Sequence, residues 1–448
     1  MSLKGSVFQK LDDAVQSADP TTVEGVQILA MAASAVKNLN EGTDVEEDVY
    51  KLGTPGEIGF GVATARDEDW QKAGMIPLSG HDNIISSNYA NYMHMASGAI
   101  MVYIPKHYFK LTGNLPEFSN TAKSGYVLDR SFINASKELN GIFVSKYGGT
   151  NNNGKFSSQR KKSPLSINSA NNPISSLDGS PSNTHGGLYT AVKTMSAKAF
   201  LTPIYVYMML ARLSLAHGKA ATSTAACAFI DVNPKMPKGN LNNALKDVND
   251  SSVTFVSNGY SNCALTGSGE PFAKTTHNGQ ECGIVDLTGN MWEVASGLIR
   301  TTTNGFLVLK ESVDITTIAN DSTTQGGGGA YDINLYDVLD ISDLVNSNTG
   351  WTYLGNGSNQ VFGFSTDRTS DTYKRTAFGI PLATGVSGAG TTEFGNDGLY
   401  RYLTNEMACI VGGYWSSTSD AGPFCVNLAN SRTTSSNYTG GRACLYAL

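Results

Sequence analysis

Charge is scarce in this chain: Asp, Glu, Lys and Arg together make up 16% of its 448 residues, and the net charge is −6. So little positive charge excludes broad nucleic-acid binding, which needs a basic surface to displace counterions from phosphates. The one local basic cluster, QRKK at 159–162, lies in a Ser/Asn-rich stretch and reads as a solvated loop. Long apolar runs are missing too. The most apolar helix-like segment, 26–36, is far too short to span a bilayer, so no membrane insertion is expected. The N-terminus MSLKGSVFQKLDD has no basic region followed by an apolar stretch, so synthesis in the cytoplasm without a signal peptide is expected. Cysteine is sparse as well: Cys227, Cys263, Cys282, Cys409, Cys425 and Cys444 form no C-x-x-C and no Cys/His set with zinc spacing. The six histidines are scattered, and none adjoins a nucleophile motif.

What fills the chain instead is Gly, Ser, Thr and Asn, residues that favour turns and loops. Residues 1–48 read as a helical segment for attachment or oligomerisation. Phe8, Leu11 and Val15 share a face there, and Thr21 with Glu24 resembles a capping box. A β-rich domain is expected over 49–130, carried by "GEIGFGVATA" and "AIMVYIPKHYFKLTG". The glycines at 59 and 61 lack the third glycine and following helix of a nucleotide fingerprint, and read as a tight turn. The loop-rich span 148–187 is expected to drape over a core rather than supply one. A buried helix is expected over 197–218, with Pro203 in its first turn, His217 satisfying helix-end carbonyls and Gly218 as its C-terminal cap. Beyond it the pattern is short strands and long loops. The four aspartates of "DINLYDVLDISD", 332–343, read as a solvated helix or loop that leaves room for a structural calcium; no other cofactor is expected.

The segment "NGQECGIVDLTGNMWEVASGLIR", 278–300, resembles the motif shared by the formylglycine-generating enzyme family and its relatives on the C-type lectin fold. The matching residues are Gly283, Asp286, Leu287, Gly289, Asn290, Met291, Trp292 and Glu293. The resemblance implies an α+β fold with a C-type lectin-like domain over 131–448, in which Trp292, Asn290 and Trp415 lock loops against a small sheet. The oxidase members of that family use a close cysteine pair near the C-terminus. Cys409, Cys425 and Cys444 have no partner at such spacing, so no catalytic residue and no catalytic metal is expected.

The tail, "GGYWSSTSDAGPFCVNLANSRTTSSNYTGGRACLYAL", resembles the C-terminal region of variable proteins of diversity-generating retroelements. The shared framework is Gly412, Gly413, Trp415, Ala421, Gly422, Phe424, Leu428, Arg432, Gly441, Arg442, Ala443 and Leu445, with Thr418 and Gly440 as departures. In such proteins a reverse transcriptase randomises template adenines. An Asn codon treated so gives Asn, Ser, Thr, Asp, Tyr, Cys and others, but never Lys, Glu, Gln, Met or Trp. From Tyr414 onward the chain contains no Lys, Glu, Gln or Met, and its only Trp is Trp415. The variable region is expected over 412–448. Its ligand-binding set is Tyr414, Ser416, Ser417, Ser419, Asp420, Cys425, Asn427, Ala429, Asn430, Ser431, Thr433, Thr434, Ser435, Ser436, Asn437 and Tyr438. Strand alternation turns Phe424, Val426 and Leu428 to the core, and Cys425, Asn427 and Ala429 to solvent. The bland alternative is a polar edge strand kept soluble by Ser, Thr and Asn.

Segments of the middle region, with "MVYIPKHYFK", resemble proteins of phage and prophage tail regions. The expectation is a non-enzymatic protein that binds a protein or glycan ligand on a target cell. It would sit on a virion tail tip or a cell surface, held by a display partner through the N-terminal region, as a homo-oligomer. A formylglycine-generating or sulfatase-modifying oxidase, a calcium lectin and a fixed-specificity tail protein are the alternatives weighed. For a calcium lectin, the usual Glu-Pro-Asn and Trp-Asn-Asp motifs are absent.

Overall fold

The computed structural model describes residues 50–344, 350–355, 360–387, 393–402, 406–418 and 421–448. The helical segment expected over 1–48 lies outside the described residues, as do Ser419 and Asp420.

The chain is a mixed α+β protein, mostly sheet with few helices. A six-stranded antiparallel sheet runs Met75–Pro77, Asn91–His94, Ala99–Pro105, Gly141–Ser145, Ala443–Leu445, Phe200–Leu201. Gly141–Ser145 reads GIFVS and is buried at every position, because both of its faces are covered. A nine-stranded sheet, curled as a half-barrel, runs Tyr336–Leu339, Gly305–Leu309, Trp292–Thr301, Met407–Val411, Val426–Ser431, Gly398–Arg401, Gly350–Leu354, Val386–Ser387. Thr439–Gly441 joins it parallel to the start of Trp292–Thr301. One continuous buried cluster extends from Leu52 to Tyr446 and draws on both sheets. Strand Ala99–Pro105, from the stretch 49–130, pairs with Gly141–Ser145 from the stretch 131–448.

The helix Ile204–Ala220 fills the space between the sheets and is buried through Gly218. It starts later than expected: Phe200–Leu201 pairs with Ala443–Leu445, and Pro203, with extended backbone (φ −79°, ψ 154°), is the N-cap. Gly218 does not end it. A Cβ there would lie 2.3 Å from the Lys235 carbonyl oxygen, so glycine serves close packing against the loop 229–235 instead of a left-handed cap. His217 does not hold helix-end carbonyls either. Its Nδ1 accepts from the Gly56 amide (2.9 Å) and its Nε2 faces the Ala226 carbonyl (2.9 Å).

The span 148–187 does more than drape. Phe156, Leu165, Ile167, Ile174 and Leu177 are all buried in the main cluster, a contribution hidden by their isolation among Ser and Asn. The aspartates of 332–343 are neither a helix nor a free loop. Asp332 caps a short turn through the Asn334 amide, Asp337 pairs with Lys374 (3.0 Å) on strand Tyr336–Leu339, and Asp343 pairs with Arg375 (2.6 Å). They do not converge on one point, and among the described residues no group of three His, Cys, Asp or Glu could hold a metal ion. No helix among the described residues is long and apolar enough to cross a membrane.

Candidate functional site

The tail is not one terminal hairpin. It crosses between the two sheets, with Thr439–Gly441 on the half-barrel and Ala443–Leu445 in the six-stranded sheet. Arg442 stands at the crossing, fully buried. Its guanidinium forks onto the Glu293 carboxylate, Nε to Oε2 and Nη2 to Oε1, both at 3.0 Å. It also donates to the Ser145 (2.6 Å) and Val285 (2.7 Å) carbonyls. Tyr207 Oη, from the central helix, donates to Glu293 Oε2 at 2.8 Å. Burial alone would lower the arginine's pKa, but Glu293, Tyr207 and Asp286 together outweigh it and hold the pKa above its ordinary value.

The other residues of the 283–293 motif build the turn leading into that pair. Asp286 (φ +61°) accepts from the Gly267 amide at 2.9 Å, and burial lifts its pKa to about 6. Asn290 (φ +63°) accepts from the Ala264 amide (2.7 Å) and donates to the Ala264 carbonyl (3.1 Å). Its own carbonyl accepts from the Trp415 amide, which ties the motif to the tail. Trp292 and Trp415 are each 6% exposed, Phe424 is buried, and Gly289 (φ +67°) has no room for a Cβ beside the Asn240 carbonyl. These five named residues, Asn290, Trp292, Trp415, Phe424 and Arg442, are interior supports.

The expected variable residues divide by burial. Tyr438, Thr433 and Ser435 are exposed; Tyr414, Ser416, Ser417, Ala429, Asn430, Ser431, Thr434 and Asn437 are half-buried. Three do not face solvent as expected. Cys425 is fully buried, and Asn427 and Ser436 are 9% and 8% exposed. Val426–Ser431 is an interior strand of the half-barrel, between Met407–Val411 and Gly398–Arg401, and Cys425 just before it packs into the main buried cluster. Its first three residues are buried on both faces, and alternation does not separate core from surface there. Asn427 turns its side-chain oxygen to the Ala429 amide (2.8 Å), and Ser436 packs where Ile167 bridges to the tail.

Two segments of the tail meet at an aromatic cluster. The Tyr414 and Tyr438 rings lie 4.4 Å apart, and Trp415 sits edge-on to both at 5.5 and 6.2 Å. Met291 and Cys263 pack beneath Trp415, and Tyr260 joins from the side, its hydroxyl accepting from Asn437 Nδ2 at 2.5 Å. Trp292 fixes the height of Tyr438 by donating its amide to the Tyr438 carbonyl (2.9 Å). Ser435 is held to the loop 167–168 by donating to the Ile167 carbonyl (2.7 Å) and accepting from Asn168 Nδ2 (3.1 Å).

A second aromatic group went unread in the sequence. Trp351 pairs across from Tyr400, and Tyr400 from Asn427, on the face of the half-barrel opposite the buried Leu399 and Val426. The Trp351 ring lies 5.2 Å from Tyr400 and 6.2 Å from Tyr353, all three half-buried. The alternation of W-T-Y at 351–353, against Y-R-Y at 400–402, is the signal that could have found it.

The thiols sit in a setting that suppresses their chemistry. All six cysteines are buried thiols outside any disulfide, and burial pushes Cys227, Cys263 and Cys444 up to about 12. The buried His94 and His107 are pulled down to about 4, and His185 and His277 to about 3, so they are neutral at pH 7. No family model matches the chain, and a search of curated proteins finds no relative.

Proposed function

We propose that the chain is a non-enzymatic ligand-binding protein of C-type-lectin-like architecture, whose tail presents a diversified contact surface centred on Tyr438. The observation that carries this reading is the convergence of Tyr414 and Tyr438 on Trp415 in a half-exposed cluster held from below by a buried framework. Tyrosine brings large contact area with few rotatable bonds, as in antibody loops, and its hydroxyl adapts to polar partners. The exposed and half-buried tail residues carry small polar side chains on backbone fixed by neighbours such as Ile167, Asn171 and Trp292. That combination tolerates sequence change, since surface substitutions usually stay within about 0.5 kcal/mol. Burial of every thiol argues against the oxidase alternative, whose chemistry needs an accessible thiolate. The ligand class in this reading is a protein or glycan on a target cell, met by stacking and hydrogen bonds. Display on a virion tail tip or a cell surface belongs to the same proposal.

A displayed library tests it. Randomising Tyr414, Ser416, Ser417, Ser435, Asn437 and Tyr438 together is expected to leave most clones folded and to yield binders to unrelated targets. A library in which most clones fail to fold would overturn the reading.

A further inference from the structure

We infer that a cleft at the foot of the tail, separate from the aromatic cluster, is a binding site for a primary alkylammonium group, with Asp397 as its counter-ion. The cleft has a volume of about 290 Å³, near the lower limit for small-ligand pockets. It lies between the 233–249 loop, the 394–397 turn and the Ala421–Pro423 bend. Its walls are apolar where Pro234, Leu241, Phe394 and Pro423 line it, which suits a short alkyl chain.

The polar end of the cleft is incompletely satisfied. Asp397 is 3% exposed, and its carboxylate accepts one hydrogen bond among the described residues, from the Phe424 amide to Oδ2 (2.8 Å). Burial, only partly offset by the Phe424 amide, pushes its pKa up to about 7. Thr288 also lines the cleft, 6% exposed, with its hydroxyl oxygen enclosed behind the wall and without a partner among the described residues. Two other charged groups line it among the described residues, and they are already occupied. Lys238 donates to the Val232 (3.0 Å) and Pro234 (2.7 Å) carbonyls. Asp247 accepts the Gly239, Asn249 and Asp250 amides, each at 2.8 Å. These two offset one another in charge and leave Asp397 as the unmatched anion. An ammonium group carries the missing charge and donates charge-assisted hydrogen bonds to the carboxylate lone pairs that the Phe424 amide leaves open. Anions are disfavoured by the same count.

The ammonium could come from a free amine or from a lysine side chain of a bound protein, and two probes separate them. Isothermal titration of the full chain uses n-butylammonium chloride and the peptide acetyl-Gly-Lys-Gly-amide, with n-butanol as the neutral shape control. At pH 8 saturable binding of n-butylammonium is expected, with none of n-butanol. Asp397→Asn should weaken it about tenfold or more, the scale of losing one buried charge-assisted contact. Lowering the pH to 5.5 should weaken it on the wild-type chain too, because Asp397 becomes protonated while the amine stays charged. That second measurement stands even if the variant fails to fold. Binding of the peptide as well as n-butylammonium would assign the site to a lysine of a protein partner, and binding of n-butylammonium alone to a free amine. No binding of either probe, or equal binding at pH 5.5 and 8, would overturn the inference.

Discussion

Arg442 and Glu293 form a fully buried, forked ion pair at the point where the tail passes from one sheet to the other. Removing one partner strands the other charge without water. Glu293→Gln or Arg442→Met is therefore expected to cost about 3–5 kcal/mol, read as a fall in the urea midpoint. The double variant should recover part of that loss, because no lone charge remains. Single variants within about 0.5 kcal/mol of wild type would show that the pair does not hold the tail in place.

Tyr438 stands at the other extreme. It is 38% exposed and its ring rests on Tyr414 and Trp415. Tyr438→Ala should change stability by about 1 kcal/mol or less, while abolishing binding of any ligand selected on the wild-type tail. Equal retention of binding would move the contact surface elsewhere.

Cys425 and Thr433 provide a matched contrast within the tail. Cys425 is buried in the main cluster and Thr433 is exposed. Placing a larger polar residue by Cys425→Asn should destabilise by about 2 kcal/mol or more, through overpacking and an unpaired amide. Thr433→Asn should stay within about 0.5 kcal/mol. Thermal melts of the two variants check this directly.

The pH dependence of stability has two limbs. His94, His107, His185 and His277 have folded pKa values depressed by burial to about 4, 4, 3 and 3. The folded state resists protonating them, so their contribution is present above about pH 6.5 and lost as pH falls toward 4. Asp397 acts in the opposite sense. Its folded pKa is raised to about 7, so the folded state favours its protonated form and stability is lost as pH rises from about 4 through 7. Asp397→Asn is expected to flatten that second limb, by up to about 4 kcal/mol. Chemical denaturation across pH 4 to 8 measures both limbs.

Strand-rich character, the buried helix near 204 and the turn before Trp292 were legible because each has a local cause in propensity, apolar continuity or glycine placement. The course of the tail was not. Alternation at Phe424, Val426 and Leu428 marks their core face correctly, yet nothing local shows that Cys425 and Asn427 on the other face are buried as well. Likewise the aromatic meeting of Tyr414 with Tyr438 and Tyr260 joins residues far apart in sequence, and the cleft at Asp397 joins three separate loops. Tertiary arrangement made these sites, and no window of sequence contains them.

Sequencing the 3′ end of the gene across a population of its source tests the central claim most directly, with the neighbouring DNA read for a near-copy of that end beside a reverse transcriptase. The account predicts substitutions at adenine positions of that copy, concentrated at the exposed and half-buried codons around Tyr414, Thr433, Ser435 and Tyr438. The codons for Arg442, Trp415 and Phe424 should stay fixed. A uniform 3′ end with no template copy would contradict diversification and leave a binder of fixed specificity.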